Sequence, residues 1–445
     1  MRLRSVIFAL ALGCGSIAVA GSASTAGAND CQGQPATIIG KPRQALLRGT
    51  PGPDVIITNG AESTRGLGGD DLICSNGTLG TIQEYGTFVD AGPGNDTVDT
   101  RRSGKEADAF VDLGPGNDVY LGGNRITDVV TAVNEQTGAP EGSDTISTGD
   151  GVDSVETGSR DPLNPDTDTI DLGAGEDEIV LVGATDPARP IRGGTGADIL
   201  YLGDPLLSSP TTIDNAAGTL TTVVGPLAAW ASVERFQLDS EGDYTAPRFI
   251  GGDRREYVEA RITLDDVDLG GGNDTLELTP PKAPSAQGVA LEGGLGTDRF
   301  FYHQFIQQQS VIYRLGSGAL TFGRNASRTP YAHVTGFEGQ DLSVQWLQLT
   351  GSAGVDRVRW DACLGSVSGA HGDDRLAWSS FSLFSGPEQC RGGGDVTVSG
   401  NAGDDVLIGG QLDDVLLGGV GVDNANGGQG TDRCRAEAKV KCEQR

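Results

Sequence analysis

The 445-residue chain is poor in most of what an ordinary globular enzyme is built from. It has 3 His, 1 Met and 5% aromatic residues, and its 32 basic side chains face 61 acidic ones, a formal net charge of −29. So few aromatics leave no stacking platform for bases, and the acidic surplus repels phosphate backbones, so nucleic acid is excluded as a partner. His303, His333 and His371 lie far apart, and no His-Glu-x-x-His stretch exists. A Gly-x-Ser-x-Gly nucleophile elbow is missing too, since Gly365-Ser366-Val367-Ser368-Gly369 carries its serines in the wrong places. Long helical periodicity is absent, and Gly or Pro punctuates almost every stretch, which excludes a helical fold. Beyond the N-terminus no apolar run approaches the roughly 18 residues a membrane span needs.

The N-terminus itself reads as an address. Arg2 and Arg4 precede an apolar run from Val6 to Ala20 and Ala-x-Ala sites at Ala18-Val19-Ala20 and Ala26-Gly27-Ala28, the layout of a secretory signal peptide over residues 1–28. Gly13, Cys14, Gly15 and Ser16 interrupt the run, against a membrane anchor. Six cysteines remain in a chain expected to be secreted and extracellular, which suggests disulfides. Sequence neighbourhood favours Cys31 with Cys74, Cys363 with Cys390 and Cys434 with Cys442. A zinc site would want thiolates a few residues apart, and no such cluster occurs.

What the chain has in plenty is Gly, 70 residues, and Asp at fixed distances from it. Gly400 to Arg435 divides into the nine-residue units GNAGDDVLI, GGQLDDVLL, GGVGVDNAN and GGQGTDRCR, with Asp405, Asp414, Asp423 and Asp432 at the sixth place. This nonapeptide resembles the RTX, or haemolysin-type, calcium-binding repeat. The resemblance implies that carbonyls of one turn and the Asp of a stacked turn share each Ca2+, pairing Asp405 with Asp423 and Asp414 with Asp432. It covers the repeats alone, and the N-terminal signal looks more like Sec-exported calcium-binding proteins than like chains using a C-terminal export signal.

Single units recur upstream, at Gly49, Arg65, Ala91, Leu113, Thr148 and Leu172, placing Asp54, Asp70, Asp96, Asp118, Asp153 and Asp177 at the sixth position. Shorter variants add Asp144 and Asp168. A longer repeat overlies these: GGTGADILY and GGLGTDRFF set Asp198 and Asp298 100 residues apart, and Asp274 and Asp374 keep the same offset. Gly251 with Glu256 likewise matches Gly351 with Asp356. The organisation read from this is an N-terminal cap and RTX-like solenoid over 29–191, module A over 192–291, module B over 292–391, and tandem nonapeptides with a C-terminal cap over 392–445.

Gly permits tight turns, and the alternating residues after each Asp make a short strand with one buried face. One rung cannot bury its apolar residues alone, so rungs must stack in parallel. The expected fold is all-β, a parallel β-solenoid of β-roll or β-helix type with calcium-binding Gly-Asp turns and disulfide-clipped ends. Stacked Asp residues repel unless a cation lies between them, and Ca2+ accepts six to eight oxygens at flexible geometry where Mg2+ demands a stricter octahedron. The alternative for any single unit is that Asp only caps its turn. The expected function is a secreted, non-catalytic calcium-binding protein with a structural or adhesive role, meeting extracellular polysaccharide or a cell surface. The competing expectation is a carbohydrate-active lyase or epimerase on a β-helix, for which Tyr302 and His303 beside Asp298 form the best candidate group.

Overall fold

The computed structural model describes residues 29–77, 87–103, 108–123, 127–133, 142–160, 164–240, 244–279, 288–304, 310–323, 329–379, 390 and 395–443; the signal-peptide segment 1–28 lies outside them. Extended backbone throws successive side chains to opposite sides, so each short alternating segment offers one inward residue. On one face Ile56, Ile73, Val98, Tyr120, Ile146 and Ile170 stand in register on six successive parallel strands, all buried. On the other face Val89, Val111, Val130, Val155, Ile179, Leu200, Phe236, Val258, Leu276 and Phe300 do the same. The two stacks meet in one continuous hydrophobic core. Burying one such side chain contributes roughly 1.5–3 kcal/mol, too little to order a rung by itself, so the strands hold only as a stack. The protein is an all-β parallel solenoid. Among the described residues the only helical turns are the 3-10 segments Leu206–Ser208 and Leu315–Ser317.

Among the described residues the parallel stack is interrupted twice, at matching places. Strands Thr211–Asp214, Thr219–Thr222 and Gly225–Ala231 form an antiparallel meander whose last strand stacks on Ile191–Arg192 and whose first carries Arg248–Ile250. Strands Ser310–Arg314, Ala319–Phe322 and Thr329–Thr335 repeat the arrangement, between Val289–Glu292 and Gly339–Thr350. Even the register shifts agree, at Leu220/Thr221 and Leu320/Thr321. The 100-residue offset is therefore the period of a meander inserted into the ladder, an antiparallel element that the rung pattern does not reveal.

All three cysteine pairs form: Cys31–Cys74, Cys363–Cys390 and Cys434–Cys442. The first and last tie down the two ends. The N-terminal cap over residues 30–39 is an Asp30–Cys31/Gln34–Pro35 hairpin followed by Ile38–Ile39, the first strand of the parallel stack. Gln32 and Gly33 turn the chain there with positive φ, 50° and 83°. The third disulfide lies inside the solenoid, with Cys363 in the strand Arg357–His371. Among the described residues no helix is long and apolar enough to cross a membrane.

Candidate metal centre

Nearly every rung carries an acidic residue directly before a strand, and stacking brings these acids into columns at the two turns. At the first turn Asp54 N–H donates to Asp71 Oδ1 (2.8 Å), Asp71 to Asp96 (2.7 Å), Asp96 to Asp118 (2.7 Å), Asp118 to Asp144 (2.8 Å) and Asp144 to Asp168 (2.7 Å). At the second turn the run is Asp128 to Asp153 (2.8 Å), Asp153 to Asp177 (2.9 Å) and Asp177 to Asp198 (3.0 Å). It resumes from Glu256 to Asp274 and Asp274 to Asp298, both 2.7 Å. Asp356, Asp374, Asp405 and Asp423 continue it at 2.8, 2.9 and 3.0 Å. Asp414 donates to Asp432 at 2.8 Å. The pairs Asp405–Asp423 and Asp414–Asp432 are thus stacked neighbours.

Each ladder bond uses one carboxylate oxygen and leaves the other inside the turn. Oδ2 of Asp71, Asp96, Asp118, Asp177, Asp198, Asp274, Asp298, Asp374, Asp405, Asp423 and Asp432, with Oε2 of Glu256, is buried without a hydrogen-bond partner. Before Asp71, Asp198, Glu256, Asp298, Asp374, Asp405, Asp423 and Asp432 a glycine five residues earlier makes the room, whereas Ala91, Leu113, Leu172 and Leu269 hold that place before Asp96, Asp118, Asp177 and Asp274. A Cβ on Gly66 would overlap both the Ala91 carbonyl oxygen and Asp71 Oδ2; on Gly193, the Ser232 carbonyl oxygen and Asp198 Oδ2; on Gly427, the Lys441 carbonyl oxygen and Asp432 Oδ2. Each such cradle therefore gathers a carboxylate oxygen and a backbone carbonyl oxygen at one point. Among the described residues no three acidic, His or Cys side chains converge on a single metal position, so backbone oxygens would have to complete any coordination sphere.

The electrostatics follow from the geometry. Burial pushes Asp96 and Asp177 up to about 7 and Asp118 to about 8; the backbone N–H of the previous rung opposes the shift, and stacked carboxylates add to it. Asp71, Asp274 and Asp374 rise to about 6 for the same reasons. Burial also raises Asp144 and Asp168, where Asp166 adds a further carboxylate. A site built only from acceptors must take up either protons or a cation, and oxygen donors suit a hard cation such as Ca2+.

Three expected ligands behave differently from the rest. Asp70 is exposed, and the sixth place of its unit belongs to Asp71. Asp70 Oδ1 accepts Asn95 N–H (2.9 Å) in a second, outer ladder that runs through Asn117 and Ser143. The doubled Asp70-Asp71 made the register ambiguous by one residue. Asp54 and Asp414 have both oxygens satisfied, Asp54 by the Thr37 hydroxyl and Thr50 N–H, Asp414 by Val396 and Gly410 N–H.

Sequence reasoning missed Asp128 and the glutamates. Glu234, Glu338, Glu437 and Glu443 end the runs, their Oε2 accepting the N–H of Asp198, Asp298, Asp423 and Asp432. Glu256, which breaks the nonapeptide pattern, keeps the ladder position. The detectable signal was an acid immediately before a short alternating segment, with or without the glycines.

The group proposed for enzymatic chemistry does not assemble. Tyr302 is fully buried in the core, 5.6 Å from the Phe322 ring, whereas His303, next along the strand, lies on the outer face with Nδ1 3.5 Å from Glu277 Oε1. Alternation along the strand puts them on opposite sides of the sheet. Asp298 belongs to the ladder. No known family model matches the chain, and the search of curated proteins returns no match.

Proposed function

We propose that the protein is a secreted calcium-binding β-solenoid, non-catalytic, whose fold outside the cell is stabilised by Ca2+ and whose surface serves a structural or adhesive role. The observation that carries this reading is the column of buried carboxylate oxygens without hydrogen-bond partners, which at Asp71, Asp198 and Asp432 stand beside a backbone carbonyl in a glycine cradle. Asp71, Asp96, Asp118, Asp177, Asp198, Asp274, Asp298, Asp374, Asp405, Asp423 and Asp432 would hold the ions, and the ions would supply the positive charge that lets stacked carboxylates stay ionised. Extracellular calcium modules bind at roughly 0.1–1 mM, so such sites fill after export and add their binding energy to folding. Three disulfides support an oxidising compartment.

The test is stoichiometry. Mature protein equilibrated in millimolar calcium and measured by atomic absorption should carry several calcium ions per chain, displaced by chelator and not by equimolar magnesium. No calcium above the buffer level would leave the Asp columns as hydrogen-bonded turns and remove the basis for the reading.

A further inference from the structure

On the outer face opposite the buried stack, the register sets Arg299, Gly339, Arg357 and Arg375 side by side on four successive strands. The next outward column is Phe301, Asp341, Arg359 and Ala377. These residues line a groove of about 390 Å³. Four arginines crowd one place on a molecule with a net charge of −29. Arg357 and Arg375 are direct cross-strand neighbours, both exposed, and like charges in that position destabilise a sheet. Among the described residues no carboxylate forms an ion pair with Arg299, Arg357 or Arg375. Exposed Arg65, Arg248 and Arg261, by contrast, each sit against an acid.

The floor of the groove is a missing side chain. Gly339 lies in ordinary strand backbone, and a Cβ there would make only van der Waals contact, the nearest atom being Arg299 Cγ at 3.6 Å. Glycine is thus not required by the turn geometry that demands it elsewhere. Its effect is to open a gap one rung wide between Arg299 and Arg357. Beside the gap Phe301 shows a half-buried ring with the Arg299 guanidinium 5.7 Å from its centre. Arg359 is fixed in place, Nε 3.4 Å from Asp341 Oδ2 and a terminal nitrogen 2.8 Å from Ser379 Oγ.

We propose that this groove binds a sugar acid, a hydroxylated ring bearing one carboxylate, as a unit of an extracellular glycan. The inference rests on the secreted binding role proposed above and names its ligand class. Paired guanidinium forks on adjacent rungs match a carboxylate bidentately, and the anion relieves their mutual repulsion. Phe301 offers a face for the apolar side of the ring, and the buried Asp341 carboxylate holds Arg359 in place beneath it. Acids at the rim, Glu277 and Glu338, and the overall negative charge disfavour a nucleic-acid strand, whose charge repeats at every unit.

The experiment is a calorimetric titration of the mature chain, in calcium and in chelator, with glucuronate, glucose, a uronate oligomer and a single-stranded oligonucleotide. Circular dichroism on the same samples separates a folding failure from a binding failure. Glucuronate should bind and glucose should not. Arg357→Gln/Arg375→Gln should weaken glucuronate at least about tenfold. Gly339→Leu, which leaves every charge in place, should block it with the melting temperature kept. A uronate oligomer binding more tightly than the monomer would assign the ligand to an internal unit of a polymer, and equal affinity would assign it to a chain end; either supports the proposal. Folded wild-type protein that ignores glucuronate, affinity unchanged in both variants, or oligonucleotide binding lost in place of sugar binding would each overturn it. If the fold ignores calcium while glucuronate still binds, the calcium reading falls and the groove stands.

Discussion

A single ladder residue shows two separable roles. Asp118 accepts the Asp96 N–H through Oδ1 and leaves Oδ2 buried and unpartnered. Asp118→Ala removes both the acceptor and the proposed cation ligand, so it should cost about 1–3 kcal/mol in chelator and more in calcium, measured by urea unfolding. Asp118→Asn keeps the acceptor and removes the buried charge, so in chelator at pH 8 it should melt higher than wild type. In calcium the order should reverse, because the proposed cation ligand has been lost. If the Asn variant shifted both melts in the same direction, Asp118 would be only a turn former. The glycines allow a similar dissection. Gly196 has φ +145° and a Cβ there would overlap the Gly175 carbonyl oxygen, whereas nothing lies within 4 Å of a Cβ on Gly52. Gly196→Ala should therefore destabilise by more than 1 kcal/mol, and Gly52→Ala should stay within about 0.5 kcal/mol of wild type.

At the scale of elements, rungs and ends contribute differently. The disulfides close chains of unequal length, 43 residues for Cys31–Cys74 and 8 for Cys434–Cys442. On a loop-entropy argument, replacing the first pair by Ser should cost about 4 kcal/mol and the second about 2.5 kcal/mol. Equal losses in parallel urea melts would mean that native packing at the caps, not loop closure, sets the difference. Much of this scale was legible in the sequence. Asp-x-apolar-x segments after Gly-rich turns specify rungs, because the side-chain period of two and the positive-φ glycines leave few other solutions. Cysteine neighbours in sequence became partners in space. The meanders were hidden because their strands, such as Thr219–Thr222, alternate like any rung strand; antiparallel pairing is decided by a turn that returns the chain along the same face. The ladder was legible at most of its aspartates, Asp71 and Asp128 apart, but not at Glu234 or Glu338, where a longer side chain reaches the same N–H without the nonapeptide around it. The arginine groove was invisible because its four guanidinium groups are brought together only by the register of strands up to 76 residues apart.

At the scale of the whole molecule, the ladders should govern how stability depends on pH. Carboxyls such as Asp96, Asp118 and Asp177 titrate higher in the folded chain than in the unfolded one, because burial disfavours their charge. The folded state then binds more protons than the unfolded state between about pH 4 and pH 8, so metal-free stability is greatest below that window and is lost as pH rises through it. Melts in chelator should fall in temperature from pH 5 to pH 8. On the proposed calcium reading the ions would hold the carboxylates charged, and melting temperature should rise over the same interval. The most direct test of the central claim is a calcium titration of melting temperature and β-signal on the mature chain at pH 7.5, with magnesium and chelator as controls. A selective, saturable rise at millimolar calcium is the predicted result. A melt that is the same in calcium, magnesium and chelator would contradict it.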